Sequence, residues 1–360
     1  MLIPLMFACS GTNDLAFSLE LPGTPQGLAL TPEGHLAVTH LDEGDLPRLS
    51  VFNRNSGNVV FSHPAGTGAP VVGDGRVYVL TRTGVRAFRG VQVDWEIESF
   101  DDLVPGDSAI ALTQDGIVVY GTQRGSLGTL HGVTHLGFPS WDAPIGGVPR
   151  GAPVTDRGDV VYVWTFLEEG DEGELVAVEG STGTILWRLA GGFHPLAALD
   201  DGLIVSTDAG VGRMTSSGAL AWEQPWPATA ATLAGDGTVW ISGVEGTRRV
   251  DLSTGGAVAT LPSSCGPVVV DLLGTAWGLC DDATGGAVEL TSLSNQARSE
   301  SVPIASGTAV DAPIILDAVV YMLVDAPRPR LLGFVEGITA SGASWSRATG
   351  STGNDRRMYP

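Results

Sequence analysis

The chain has no lysine: all 19 of its basic residues are arginine, set against 40 aspartates and glutamates, for a formal net charge of −21. Without lysine it cannot form a Schiff base on its own side chain, and it cannot supply the lysine of a phosphate-binding loop. A surface this acidic repels nucleic-acid phosphates and anionic lipid headgroups, so neither is an expected partner. Cysteine is scarce as well, at three residues, and no two are adjacent or spaced Cys-x-x-Cys. No apolar run approaches the roughly 18–20 residues of a membrane span. Glycine, proline and β-branched residues interrupt every stretch, which excludes long helices. Gly-x-Ser-x-Gly and His-Glu-x-x-His are also missing.

What is present is repetition. A short apolar run opens each unit: Ala69-Pro70-Val71-Val72, Ala152-Pro153-Val154, Gly266-Pro267-Val268-Val269 and Ala312-Pro313-Ile314-Ile315. A triplet with a central aromatic follows, as in Val77-Tyr78-Val79, Val161-Tyr162-Val163, Val239-Trp240-Ile241 and Val320-Tyr321-Met322. Two further strand-like runs complete the unit, the last often carrying Trp. Units begin near residues 27, 69, 108, 151, 196, 230, 266 and 312. A period of about 40 residues with four strands per unit is the signature of a β-propeller. The expected fold is all-β: a single eight-bladed propeller of four-stranded antiparallel blades, with seven or nine blades as alternatives. It should span 15–346, between an N-terminal segment (1–14) and a polar tail (347–360).

The short turns carry Asp-Gly, at Asp74-Gly75, Asp115-Gly116, Asp201-Gly202 and Asp236-Gly237. Glycine takes positive φ without strain, so these read as hairpin turns rather than metal ligands. His131 and His135 would share a strand face, but no third zinc ligand stands near them. Glu168, Glu169, Asp171, Glu172 and Glu174 form the densest acidic run, on a Gly-containing loop. A solvated loop is the plain reading; the sharper one is a contact for a basic partner or calcium. Cys265 and Cys280 flank a strand–turn–strand whose midpoint falls in the turn. Opposed positions in a hairpin lie close enough for a disulfide, and two buried free thiols are the alternative. A bridge would imply an oxidising compartment.

The unit Leu175-Val-Ala177-Val-Glu-Gly-Ser-Thr182-Gly183-Thr-Ile-Leu-Trp187 resembles the repeat of the pyrroloquinoline-quinone (PQQ) dehydrogenase-like propellers. The resemblance implies that Ala177, Thr182, Gly183 and Trp187 dock one blade on the next, with Trp95, Trp222 and Trp345 in the same role. Other units match in part: the sixth has Ala259 in the Trp place, and the third and seventh are weak. In that family the quinone lies between a Trp and a disulfide of adjacent cysteines, which this chain lacks. No cofactor and no metal are therefore expected, and an enzyme is the less favoured reading. The start, ending Met6-Phe7-Ala8-Cys9-Ser10, resembles a bacterial lipoprotein signal. That resemblance implies a lipid on Cys9 and, with Ser10 rather than Asp next, outer-membrane attachment. Repeat type and layout resemble the propeller lipoproteins of outer-membrane β-barrel assembly. The expected function is a monomeric, non-enzymatic scaffold for other envelope proteins, touching the membrane only through its lipid anchor. The alternative is a quinoprotein-like or carbohydrate-active enzyme, or a sugar-binding protein, with its site in the central funnel.

Overall fold

A computed structural model describes residues 15–98, 102–103, 110–166, 173–261, 265–270, 276–281, 288–293, 298–304, 308–310, 313–316, 319–325, 328–335 and 346–347. Among them every regular element is a β-strand. No described helix is long and apolar enough to cross a membrane.

The strands fall into eight antiparallel sheets, numbered here from the N-terminal side. Sheet 1 comprises Pro25–Leu30, Leu36–Leu41, Pro47–Phe52 and Val59–Pro64, from inner to outer strand. Sheet 2 runs Val71–Gly73, Arg76–Leu80, Gly84–Arg89 and Gln92–Glu98. In sheet 3, two short strands (Asp102–Leu103 and Ile110–Leu112) share the inner position beside Ile117–Arg124, and Leu127–Thr134 and Pro139–Pro144 follow. Sheet 4 holds Val148–Thr155, Val160–Phe166, Glu174–Glu179 and Ile185–Ala190. Sheet 5 holds His194–Leu199, Gly202–Thr207, Gly210–Thr215 and Leu220–Gln224, and sheet 6 holds Ala230–Leu233, Thr238–Gly243, Gly246–Asp251 and Ala257–Leu261. Sheet 7 runs Cys265–Val270, Ala276–Asp281, Val288–Leu293 and Arg298–Ile304, with Ser346–Arg347 paired beside its inner strand. Sheet 8 has Thr308–Ala309 and Ile314–Leu316 inside, then Val319–Asp325 and Arg330–Val335, and Leu15–Glu20 as its outer strand.

The expectation of a single eight-bladed propeller built from four-stranded antiparallel blades needs correction: five of the described sheets are such blades, and three have five strands. In sheets 3 and 8 the inner position is split between two short strands. Sheet 7 gains Ser346–Arg347, so pairing extends past the end of its own hairpins. The closing strand is the N-terminal one. Leu15–Glu20 pairs with Arg330–Val335, from Leu15 opposite Phe334 to Glu20 opposite Arg330. Using a far-terminal strand in this way covers an edge that would otherwise be open.

The core is not central but divided into eight apolar clusters, each between two neighbouring sheets. Leu21, Leu28, Leu36 and Val38 meet Ile314, Tyr321, Leu323 and Leu331 across sheets 1 and 8. Tyr78, Leu80 and Ala87 meet Ile110, Val118 and Tyr120 across sheets 2 and 3. Tyr162, Leu175 and Ala177 meet Leu203, Val205 and Met214 across sheets 4 and 5. Alternation along each middle strand sends successive side chains to opposite neighbours, so a strand buried on both faces reads as a continuous apolar run.

Candidate functional site

In such a ring the inner-to-second and third-to-outer turns lie at one end. The second-to-third loops and sheet-to-sheet connections lie at the other. The turn end is devoted to docking. Trp95 donates its indole N–H to the His135 carbonyl at 2.9 Å, Trp141 to Gly180 at 2.8 Å, Trp187 to Ser216 at 2.6 Å and Trp222 to Leu252 at 2.8 Å. Each bond crosses to the next sheet. Each ring also lies on the next sheet's turn glycine, as Trp141 does on Gly183 (φ +74), where an added Cβ would come within 2.7 Å of the ring. Ala177 is fully buried opposite Trp187. Thr182 is exposed and bonds to Glu179 and Thr184, closing the turn locally. Trp345 lies outside the described residues. Trp141 was hidden from sequence reading because its unit has a weak opening; Gly137 and Gly132 around it were the available signal.

The turn carboxylates are engaged in this framework. Asp201 accepts two bonds from Arg213 at 2.9 Å, and Asp236 pairs with Arg249. Asp200 pairs with Arg157 of the preceding sheet. Asp74 adopts φ +49 before Gly75. Asp156 is buried, bonded to the Tyr162 hydroxyl at 2.7 Å and the Val160 N–H at 2.9 Å. Burial pushes the Asp156 carboxyl up from its usual range. These are turn-fixing interactions, and no group of three or more His, Cys, Asp or Glu among the described residues is placed to hold a metal ion.

The two histidines have separate tasks. His131 lies on the third strand of sheet 3, between Thr122 Oγ1 (2.8 Å) and Asp142 Oδ1 (2.7 Å), and stacks on Tyr120 at 5.0 Å. Burial, with the Asp142 charge, pushes the Tyr120 hydroxyl up to about 12. His135 sits in the following turn, where its carbonyl receives Trp95. The pair does not converge. Cys265 and Cys280 do: they are opposed in register with Cα atoms 3.8 Å apart and form a disulfide, buried beside Trp240.

The opposite end is different in kind. Trp164 and Phe166 alternate onto one face of the second strand of sheet 4, with ring centroids 6.0 Å apart. Arg150 on the inner strand lies 4.7 Å over Phe166, and His194 at the start of sheet 5 packs 4.2 Å from Trp164. Burial lowers the His194 pKa, so the ring is neutral at physiological pH. The Trp164 indole N–H is buried and meets no acceptor among the described residues. One connection further round, Arg248 stacks 5.0 Å over Trp226 and reaches Glu245 at 3.7 Å. Trp164, Phe166, Arg150 and Trp226 are all half-buried. Nothing in the linear sequence grouped them with His194 and Arg248, because the six come from four strands and a connection. Glu168, Glu169, Asp171 and Glu172, read earlier as a partner contact, lie outside the described residues, as does Cys9.

Fold and docking geometry define a β-propeller whose sheets are joined by tryptophan-to-turn contacts. Residues 128–271 match the family model described as outer membrane protein assembly factor BamB. Among solved structures the chain resembles the Dos1 propeller, with TM-score 0.62 and 11% identity, covering 88% of this chain and 94% of that one. It also resembles the quinohemoprotein alcohol dehydrogenase of Comamonas testosteroni, with TM-score 0.61 and 13% identity, covering 91% of this chain and 77% of that one. No curated protein matches it in sequence. The chain is a β-propeller, and over residues 128–271 it is similar to the PQQ-like repeat family. At these identities the structural likenesses establish fold alone, and one fold hosts both enzymes and scaffolds.

Proposed function

We propose that the protein is a non-enzymatic scaffold of the cell envelope that binds partner proteins through the loop-bearing end of sheets 4 to 6, in outer-membrane protein assembly. The observation that carries this reading is the position of the family match. Residues 128–271 contain every member of the aromatic and arginine group described above: Arg150, Trp164, Phe166, His194, Trp226 and Arg248. Tryptophan and arginine dominate binding hot spots because they bring large, stiff contact areas and directed polar groups. The acidic run from Glu168 to Glu172 joins Phe166 to the third strand in the chain, and its charge would steer a basic partner surface. Cys9 would supply the site for a lipid anchor tethering the protein at a membrane.

Photocrosslinking in cells, with the reactive group at position 164 or 166, tests the reading. Crosslinks to envelope proteins are expected from these positions and not from position 93, exposed on the outer strand of sheet 2. Their absence at both would sink the proposal. Neutralising Glu168, Glu169, Asp171 and Glu172 together should weaken partner recovery at low salt and matter less at high salt. Titration with PQQ and a dye acceptor should give no turnover of alcohols or sugars; turnover would favour the funnel enzyme instead.

A further inference from the structure

Among the described residues each sheet ends in an outer strand that pairs on one side only. Soluble proteins protect such edges with charge or proline, because an open edge pairs with any extended chain that reaches it. The outer strands here follow that rule with one exception. Gln92–Glu98 carries Asp94, Glu96 and Glu98, and Pro139–Pro144 carries Asp142 between two prolines. Ile185–Ala190 has Arg188, Leu220–Gln224 has Glu223, Val59–Pro64 ends in proline, and Leu15–Glu20 ends in Glu20. Arg298–Ile304 has Arg298, Glu300 and Pro303. Ala257–Leu261 of sheet 6, Ala-Val-Ala-Thr-Leu, has neither charge nor proline.

The same strand departs from its neighbours in shape. Sheets 2 to 5 place Trp95, Trp141, Trp187 and Trp222 on their outer strands, each reaching over to the next sheet. Sheet 6 has Ala259 at the matching register, opposite Arg249 as Trp222 is opposite Arg213. Its other exposed residues are Ala257, Val258 and Thr260, with Val258 55% exposed. Among the described residues no strand pairs its outer side. The strand is therefore neutral and open, on a chain that carries a net charge of −21.

We propose that Ala257–Leu261 is a docking edge that accepts an extended segment of a partner protein as an added strand. Main-chain hydrogen bonds would supply the affinity, and the exposed Val258 and Thr260 would read alternate side chains. Charge selects the occupant. A second copy of this chain would bring another −21 to the rim, so the fitting segment is uncharged or basic, with apolar residues at every second position. This surface lies on the outer rim of sheet 6, where Thr260 is the register partner of Arg248, and its peptide test is separate from crosslinking at positions 164 and 166.

The test uses the whole protein and a labelled heptapeptide of alternating Val and Thr with a Lys at each end. A control peptide carries N-methyl groups on alternate amides, which removes main-chain donors along one edge and keeps the side chains. The plain peptide should bind and slow amide exchange within 257–261. The doubly substituted variant Val258→Lys, Thr260→Lys, which adds the charge other edges carry, should bind at least about tenfold more weakly. Circular dichroism and an unchanged melting transition establish that the variant is folded. Equal binding by the N-methylated peptide would overturn strand addition, and so would protection at another outer strand. A dimer of the parent protein that the Lys variant abolishes would overturn the choice of occupant.

Discussion

His40 shows how a single buried side chain ties stability to pH. Its ring is buried on the second strand of sheet 1. Nδ1 lies 3.1 Å from the Leu41 carbonyl, and Nε2 lies 2.8 Å from Ser50 Oγ. The carbonyl can only accept, so Nδ1 carries the proton in the neutral ring. Burial lowers the His40 pKa below its usual value. An unfolded chain then binds a proton that the folded chain refuses, so stability is present above about pH 6.5 and is lost as pH falls through the folded value. Urea unfolding between pH 7.5 and 5 should therefore show a loss on acidification that is smaller in His40→Gln. Parallel profiles for the two proteins would show that His40 does not carry this dependence. His194, also lowered by burial, adds to the same acid loss in both proteins and so leaves the difference to His40. Neither histidine was recognisable beforehand. A lone histidine in an apolar run does not reveal whether it is buried, whereas the Asp-Gly turns were legible because backbone geometry demands them.

Between elements, the decisive contact is the tryptophan that leaves one sheet and lands on the next. Trp187 packs beside Tyr162, with ring centroids 5.9 Å apart, and bonds to Ser216 O while lying over Gly218 (φ +83). Truncation to alanine removes the ring and leaves the Ser216 carbonyl to water. Trp187 is half-buried. The loss should therefore fall below the 3–5 kcal/mol of a fully buried aromatic, at about 2–3 kcal/mol. Chemical denaturation measures it, and a change under about 0.5 kcal/mol would mean the ring contributes no docking. This element was readable from one well-preserved unit, because its resemblance to the PQQ-like repeat implies the docking role of Ala177, Thr182, Gly183 and Trp187. The equivalent Trp141 was missed, since its contacts are to residues about forty positions away and its own unit lacks a clear opening. The aromatic group of Arg150, Trp164, Phe166 and His194 was missed for the same reason: it assembles only when sheets 4 and 5 are side by side. The disulfide was legible because both cysteines belong to one hairpin.

At the scale of the whole molecule, the ring depends on a junction between the two ends of the described chain. The period of the repeat made the architecture legible, but two features were open: the exact number of blades and which strand closes the ring. Closure is a long-range pairing with no local signature, since Leu15–Glu20 resembles any outer strand. Just beyond that strand, Leu21 is 4% exposed and donates its N–H to Pro329 O at 2.8 Å. Its side chain packs with Leu28, Leu36 and Phe52 of sheet 1 and with Leu323 and Leu331 of sheet 8. It therefore joins the first and last sheets at once. A ring in which each sheet buries its faces only against its neighbours loses one interface and exposes two faces when one junction opens, and the terminal sheets are then no longer capped. Leu21→Ala should cost about 2–4 kcal/mol as a buried leucine truncation. Amide exchange should rise together in sheets 1 and 8, while sheets 4 and 5 across the ring stay protected. Faster exchange confined to 15–20 would show instead that the N-terminal strand is a peripheral strap and that sheets 1 and 8 hold each other without it.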